Sequence, residues 1–473
     1  MRADTLEKQR SAILLDEPVV TALNAGLRGD LIQPGDANYD NARQLYNGMI
    51  DKRPGLIASC VDVADVQTAI NFAREHDLLL AVRGGGHNGA GLGSCDDGLV
   101  VDLSLMKGVY VDPGIGTVRV EGGCTWGDVD HATYPFGLAV PTGFISTTGV
   151  GGLTLGGGLG YLTRHYGLTI DNLLSVDMVL ADGRIVTASA EENTDLFWAV
   201  RGGGGNFGVV TSFLFRGCPV STVYGGPMFW ELEHATTVMR FWRDLILTAP
   251  KDINGWLGFH TVPPVDMFPA QHHLKKMAAV TWCFTGDLQQ ADQIFEPIRQ
   301  VAPVAMDFTG PIPLPALQSM FDGLYPPGLQ WYWNADFFTE LSDEVIDMHV
   351  HHSAKLPTVH STMHLYPING AAHDVGDKDT AWSFREANFA QVIVGVDPDP
   401  VNNERMIRWS KDYWKALHPH SAGGGYVNMI MDEGQDRVQA AYRDNYPRLA
   451  QIKAKYDPQN LFRVNQNIKP VTN

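Results

Sequence analysis

The seven residues Arg83-Gly84-Gly85-Gly86-His87-Asn88-Gly89 set a guanidinium at the start of a glycine run and an imidazole near its end. Consecutive glycines reach backbone angles closed to other residues and leave N–H groups free to converge on a phosphate. A neutral imidazole can act as a nucleophile or a ligand. Two more stretches share this character. One runs from Pro141-Thr142-Gly143 through Thr147-Thr148-Gly149-Val150-Gly151-Gly152 to Gly156-Gly157-Gly158-Leu159-Gly160. The other is Arg201-Gly202-Gly203-Gly204-Gly205-Asn206-Phe207-Gly208, followed by Val209. Regular elements tolerate so many glycines only at a cost, and close approach of backbone to a ligand explains them. Each run alone reads better as tight turns. Together they suggest a long ligand along a sheet edge, with phosphates near one loop and a ring system near another, and FAD fits that description.

The elements that must position these loops follow from periodicity. Residues 56–60 and 78–82 are short apolar runs, and between them Val66, Ala69, Ile70 and Ala73 share one face of a helix over 65–76. This βαβ unit predicts parallel strands with a ligand at their ends. Another strand is expected over 99–102, a hairpin over 174–180 and 184–188 around Asp182-Gly183, a short helix over 195–200 and a strand over 209–215. Residues 1–54 read as an irregular lead-in with a helix or two. No glycine fingerprint with an acidic residue stands in the strand-turn-helix context of a nicotinamide site.

At 473 residues the chain is too long for one core, and a 44% hydrophobic content suffices for two. A net charge of −18 argues against a general field for nucleic acid or anionic membrane. Cys60, Cys95, Cys124, Cys218 and Cys283 are odd in number and widely spaced, which points to reduced thiols. The start lacks an apolar signal core and no stretch reaches membrane-spanning length, so the expected location is the cytoplasm.

From residue 217 the glycine density falls and aromatic residues rise, which reads as an inserted second domain. Strands are expected over 278–284, 329–338, 358–366 and 389–396, with helices over 343–354 and 403–417. Alternation puts Tyr332, Asn334 and Asp336 on one face of a strand and Trp331 with Trp333 on the other. The polar face is expected to look toward a substrate pocket, solvent exposure being the alternative. His349, His351 and His352 lack metal-ligand spacing and read as a solvated helix face, so no metal is expected. His364, on a strand, either reaches the pocket or is structural.

Residues 55–215 resemble the FAD-binding domain of the vanillyl-alcohol oxidase and p-cresol methylhydroxylase superfamily. The carboxyl end, Tyr456-Asp457-Pro458-Gln459-Asn460-Leu461-Phe462-Arg463 with Asn465-Gln466-Asn467-Ile468, is similar to its berberine bridge enzyme branch. The resemblance implies an α+β fold: a p-cresol methylhydroxylase-type FAD-binding domain (residues 1–216, core about 55–215), an antiparallel-sheet substrate domain with flanking helices (217–421) and a C-terminal return (422–473). It implies FAD singly attached through the ring nitrogen of His87 to the flavin methyl carbon at position 8. The loop from Arg83 to Gly89 would wrap the pyrophosphate. Thr148, Gly149, Val150, Gly151, Gly152, Gly157 and Gly160 match loops beside pyrophosphate and ring, and Asn206, Gly208 and Val209 match the adenine side. Asn465 and Asn467 match the returning tail. Many relatives add a second link through a cysteine; here Ile145 holds that position, and Leu153 stands where many have histidine.

The resemblance also implies hydride removal from a C–H next to oxygen or nitrogen of a small organic substrate, with dioxygen as the expected acceptor. A dehydrogenase using another acceptor, or a protein that binds FAD without turnover, is the alternative. The usual base ends a Tyr-x-Asn-Tyr motif, which here reads Tyr426-Val427-Asn428-Met429. Methionine accepts no proton. Tyr426 and Asn428, on one face if the segment is extended, are then pocket residues, and Tyr332, His364 or Asp336 is a candidate base unless an amine substrate needs none. Whether the chain forms a homo-oligomer stays open.

Overall fold

The computed structural model describes residues 15–471. Its first sheet holds β1 (Leu31–Ile32), β2 (Leu56–Ser59), β3 (Leu80–Arg83) and β4 (Leu99–Asp102) in the order β1-β2-β4-β3. β2, β4 and β3 are parallel, and β1 adds an antiparallel edge. β2 and β4 are buried throughout, which is why they read as continuous apolar runs. The crossover helix Val63–Glu75 is capped by Asp62, whose carboxylate accepts from the N–H groups of Ala64 and Asp65. Val66, Ala69, Ile70 and Ala73 form its buried face, as the spacing predicts.

The second sheet is antiparallel: β5 (Val109–Asp112), β6 (Thr117–Glu121), β7 (Leu173–Val179), β8 (Ile185–Ser189) and β9 (Val209–Arg216), in the order β5-β6-β9-β7-β8. β7 and β8 form the hairpin around Asp182-Gly183, where Gly183 takes φ +83°.

The third sheet has eight strands: β10 (Thr222–Glu231), β11 (Ile253–Thr261), β12 (Lys276–Phe284), β13 (Val304–Asp307), β14 (Gly310–Pro313), β15 (Gln330–Phe338), β16 (Thr362–Pro367) and β17 (Phe389–Asp397). Their order is β13-β10-β12-β11-β16-β17-β15, with β14 also on β10, and every pairing is antiparallel. Leu257, Phe259, Met363, Leu365 and Ile393 pack against Val238 and Trp242 of the helix Ala235–Thr248, Ile346 of Asp343–Ser353 and Tyr413 of Asn403–Leu417. The alternate residues face the other way, toward the first two sheets. The strand expected over 358–366 begins only at Thr362, and β10, β11, β13 and β14 were not anticipated.

The C-terminal segment clamps the third glycine loop. Asn206 accepts from the Ile468 N–H (2.9 Å) and donates to the Gln466 carbonyl (3.1 Å). Lys453, wholly buried, donates to the Asn206 carbonyl (2.6 Å), the Phe462 carbonyl (2.9 Å) and Asp457 (2.6 Å).

Candidate active site

The three glycine loops and the inner face of the third sheet enclose one cavity of about 370 Å³. Gly84–His87 lie at its floor with Gly149, Gly151, Gly152 and Gly204–Asn206. A Cβ on Gly85 would stand 2.5 Å from the Gly149 nitrogen, and one on Gly149 would stand 2.4 Å from the Gly85 nitrogen. The first two loops therefore touch backbone to backbone, which only glycine permits. Gly152 and Gly205 differ: a Cβ there meets nothing within 4 Å. Their bareness serves open space, not packing, as a bound ligand requires.

Several polar groups in this wall are buried without a protein partner, among them Arg83 Nη1, Trp333 Nε1, Asn465 Oδ1 and Tyr442 Oη. Buried polar groups are rarely left unpaired, and a long ligand bearing phosphates, hydroxyls and a polar ring would satisfy them. The other arm of Arg83 is fixed by Asp102 at 2.7 Å. These residues fit FAD.

His87 opens onto the cavity and stacks on Tyr46, ring centroids 3.8 Å apart and planes 18° apart. Burial pushes its pKa down to about 4, opposed by a hydrogen bond to the Thr147 backbone. The imidazole is thus neutral at pH 7, with one nitrogen engaged and the other carrying a free lone pair. No cysteine lines the cavity. Ile145 does, and Cys124 is buried with its thiol 3.6 Å from the Gly108 carbonyl.

Residues 426–429 all line the cavity, because Val427–Met429 form a 3-10 turn, so the facing that an extended segment would impose does not apply. Tyr426 Oη accepts from the Gly158 N–H and from Asn428 Nδ2, each at 2.9 Å, and burial pushes its pKa up to about 12. With two hydrogen bonds already accepted, the phenol is a donor toward the cavity and a poor base.

The roof overturns one expectation. Trp331 and Trp333 face the cavity, and the polar face of β15 looks the opposite way. Tyr332 lies under Lys411, Asn334 bonds Ser410 and Glu433, and Asp336 is locked between Arg437 (2.7 Å) and His418 (2.9 Å). Tyr332 and Asp336 are therefore not bases for this cavity. His364 does line it, on β16.

Other predicted positions support the site without lining it. A Cβ on Gly160 would stand 1.9 Å from the Thr142 carbonyl, Gly157 abuts Trp382, and Gly89 abuts Trp333. Val150 is core, and the Asn467 carbonyl accepts from Gln435. His349 is also corrected: it is fully buried and bonded to Tyr413 at 2.8 Å, while only His351 is exposed. Sequence reasoning missed Tyr46, Phe144, Tyr325, Thr362 and Tyr366. Tyr46 sits in the lead-in, where neighbouring Asn47 bonds both the Gly89 and the Trp331 carbonyls.

A glycine-lined cavity with a buried histidine, roofed by an antiparallel sheet, defines a FAD-binding oxidoreductase. Residues 54–189 match the FAD binding domain family and residues 425–469 the family described as berberine and berberine like. A FAD-linked oxidoreductase of Dictyostelium discoideum is 32% identical over 458 residues, covering 96% of this chain and 98% of that protein. The (R)-6-hydroxynicotine oxidase of Paenarthrobacter nicotinovorans is 28% identical, covering 94% and 97%. The crystal structure of 6-hydroxy-D-nicotine oxidase from Arthrobacter nicotinovorans superposes with a TM-score of 0.85 at 25% identity, covering 97% and 100%. The chain belongs to the FAD-linked oxidoreductases with a berberine-like C-terminal segment.

Proposed function

We propose that the protein is an oxidase that carries FAD on a single covalent link to His87 and removes hydride from a C–H next to a hydroxyl or amine of a small organic substrate. The observation that carries this reading is the shared cavity: the neutral, Tyr46-stacked His87 opens onto the same space as Tyr426 and His364. When bound, FAD supplies a two-electron acceptor whose reduced form dioxygen can reoxidise. Arg83 and the bare backbones of Gly152 and Gly205 would hold it, with Asn465 at the returning tail.

The remaining work falls to the chain itself. The free His87 nitrogen is the nucleophile for the tether, and Ile145 offers no thiol for a second. Trp331 and Trp333, which line the cavity, would exclude water from it, and Tyr426 would donate toward substrate. Relatives whose names state oxidase activity support dioxygen as acceptor. The test is anaerobic mixing of the yellow protein with benzylic alcohols and amines, followed by air. Bleaching, then recolouring with one peroxide per turnover, is expected; bleaching that air does not reverse would make it a dehydrogenase, and no bleaching a binding protein.

A further inference from the structure

The roof carries a hydrogen-bonded chain that runs from Thr362 through His364 to Tyr366. Thr362 Oγ1 lies 2.8 Å from the Phe259 carbonyl, 2.9 Å from His364 Nε2 and 3.2 Å from His260 Nδ1. A hydroxyl has one proton, and a carbonyl can only accept, so that proton goes to Phe259. Both imidazoles must then donate to Thr362, which assigns His364 as the Nε2–H tautomer. Its Nδ1 lone pair is turned to Tyr366 Oη, only 2.6 Å away. Tyr366 is the donor in that bond. Its oxygen keeps free lone pairs, and its side chain lines the cavity.

We infer that Tyr366 and His364 together form the proton acceptor that Met429 cannot be, and that the substrate class is an aromatic alcohol. This rests on the oxidase reading above. The substrate hydroxyl gives its proton to Tyr366 Oη as the Tyr366 proton passes to His364 Nδ1. FAD, when bound, would supply the two-electron acceptor for the C–H hydride; the alcohol would become a carbonyl, and the proton would rest on His364 Nδ1, where burial disfavours the charge and drives the proton back toward the cavity. The groups facing the pair are His260, Tyr161 and Tyr325, together with the indole of Trp256 4.5 Å from the His364 ring. None is a carboxylate or an ammonium. Burial keeps His260 and His364 neutral, so the acceptor form is present across neutral pH.

The same walls choose the substrate. Phe144 stacks on Tyr366 at 4.3 Å, and Trp331, Trp333, Val392 and Val394 complete an apolar roof. Arg83, paired with Asp102, is the one charged side chain lining the cavity among the described residues. A site without a carboxylate offers no partner to an ammonium, and the aromatic faces of Phe144, Trp331 and Trp333 suit a flat ring better than a pyranose chair. A flat, neutral ring bearing one alcohol satisfies it.

The test has two arms on the holoprotein. Nitrogen-15 NMR of histidine-labelled protein, with His364 identified by its loss in His364→Gln, should show a neutral Nε2–H tautomer, and Tyr366→Phe should shift its Nδ1 signal toward that of an unbonded lone pair. An Nδ1–H tautomer, or no response to Tyr366→Phe, overturns the relay whether or not flavin is present. Anaerobic bleaching by benzyl alcohol should slow by on the order of 10²–10⁴-fold in Tyr366→Phe, with half-saturation kept. His364→Gln should slow it similarly and steepen its pH dependence. Equal rates in wild type and Tyr366→Phe overturn the relay, and bleaching by benzylamine alone, or by neither probe, overturns the alcohol assignment. Protein that carries no flavin would sink the oxidase reading while the NMR arm still decides the relay.

Discussion

Tyr46 lies face to face on His87, with 3.8 Å between ring centroids. It is itself anchored by a 2.6 Å hydrogen bond from its hydroxyl to the Tyr325 carbonyl. The stack fixes the plane in which the free imidazole nitrogen points. Tyr46→Phe keeps the stack and should keep covalent flavin, whereas Tyr46→Ala should lower the covalently loaded fraction. Flavin absorbance of unfolded protein per chain reads this directly; full loading of Tyr46→Ala would show that the stack does not orient the nucleophile.

The contact between Gly85 and Gly149 gives a sharper contrast. A methyl at Gly85 overlaps the Gly149 backbone, so Gly85→Ala should destabilise the fold by roughly 1–3 kcal/mol and lower FAD content. A methyl at Gly205 meets nothing within 4 Å, so Gly205→Ala should leave apoprotein stability unchanged and weaken cofactor retention alone. Thermal unfolding with and without FAD separates the two.

The parts of this site visible in the sequence are those made by local chain. The helix Val63–Glu75, the Asp182-Gly183 hairpin and the three glycine loops announce themselves by spacing and by turn residues. β10 escapes because nearly every residue in it is buried, which removes the alternation that marks a half-exposed strand. β15 misleads for another reason. Asn334 and Asp336 are satisfied by Ser410, Glu433 and Arg437, some 76 to 101 residues away, so no local pattern could show that the tryptophans take the cavity side. The Tyr366–His364–Thr362 chain depends likewise on Phe259, from a neighbouring strand.

Lys453 and Asp457 hold the returning tail on the third glycine loop from a fully buried position. Lys453→Met leaves Asp457 charged and short of its partner, and should cost roughly 3–5 kcal/mol. Denaturant unfolding checks this, with FAD content falling in parallel; a loss below about 1 kcal/mol would show that the pair is dispensable.

Asp130 gives a pH signature. Burial, with Asp322 nearby adding to it, pushes its carboxyl up to about 7, and one of its oxygens has no partner. An unfolded aspartate titrates near 3.8, so between that pH and 7 the unfolded chain binds fewer protons than the fold. Stability from this group is complete below pH 3.8 and falls as pH rises through 7, by about 4 kcal/mol at most. Asp130→Asn should therefore be more stable than wild type at pH 8 and gain little at pH 4, as denaturant midpoints at the two values will show.

The central claim is one flavin on one histidine, and the mass of the intact, unfolded chain tests it most directly. Wild type and Cys124→Ala should each carry the added mass of a single FAD, and His87→Ala should have the mass of the polypeptide alone. Wild type at polypeptide mass, or His87→Ala still bearing the adduct, would contradict the account.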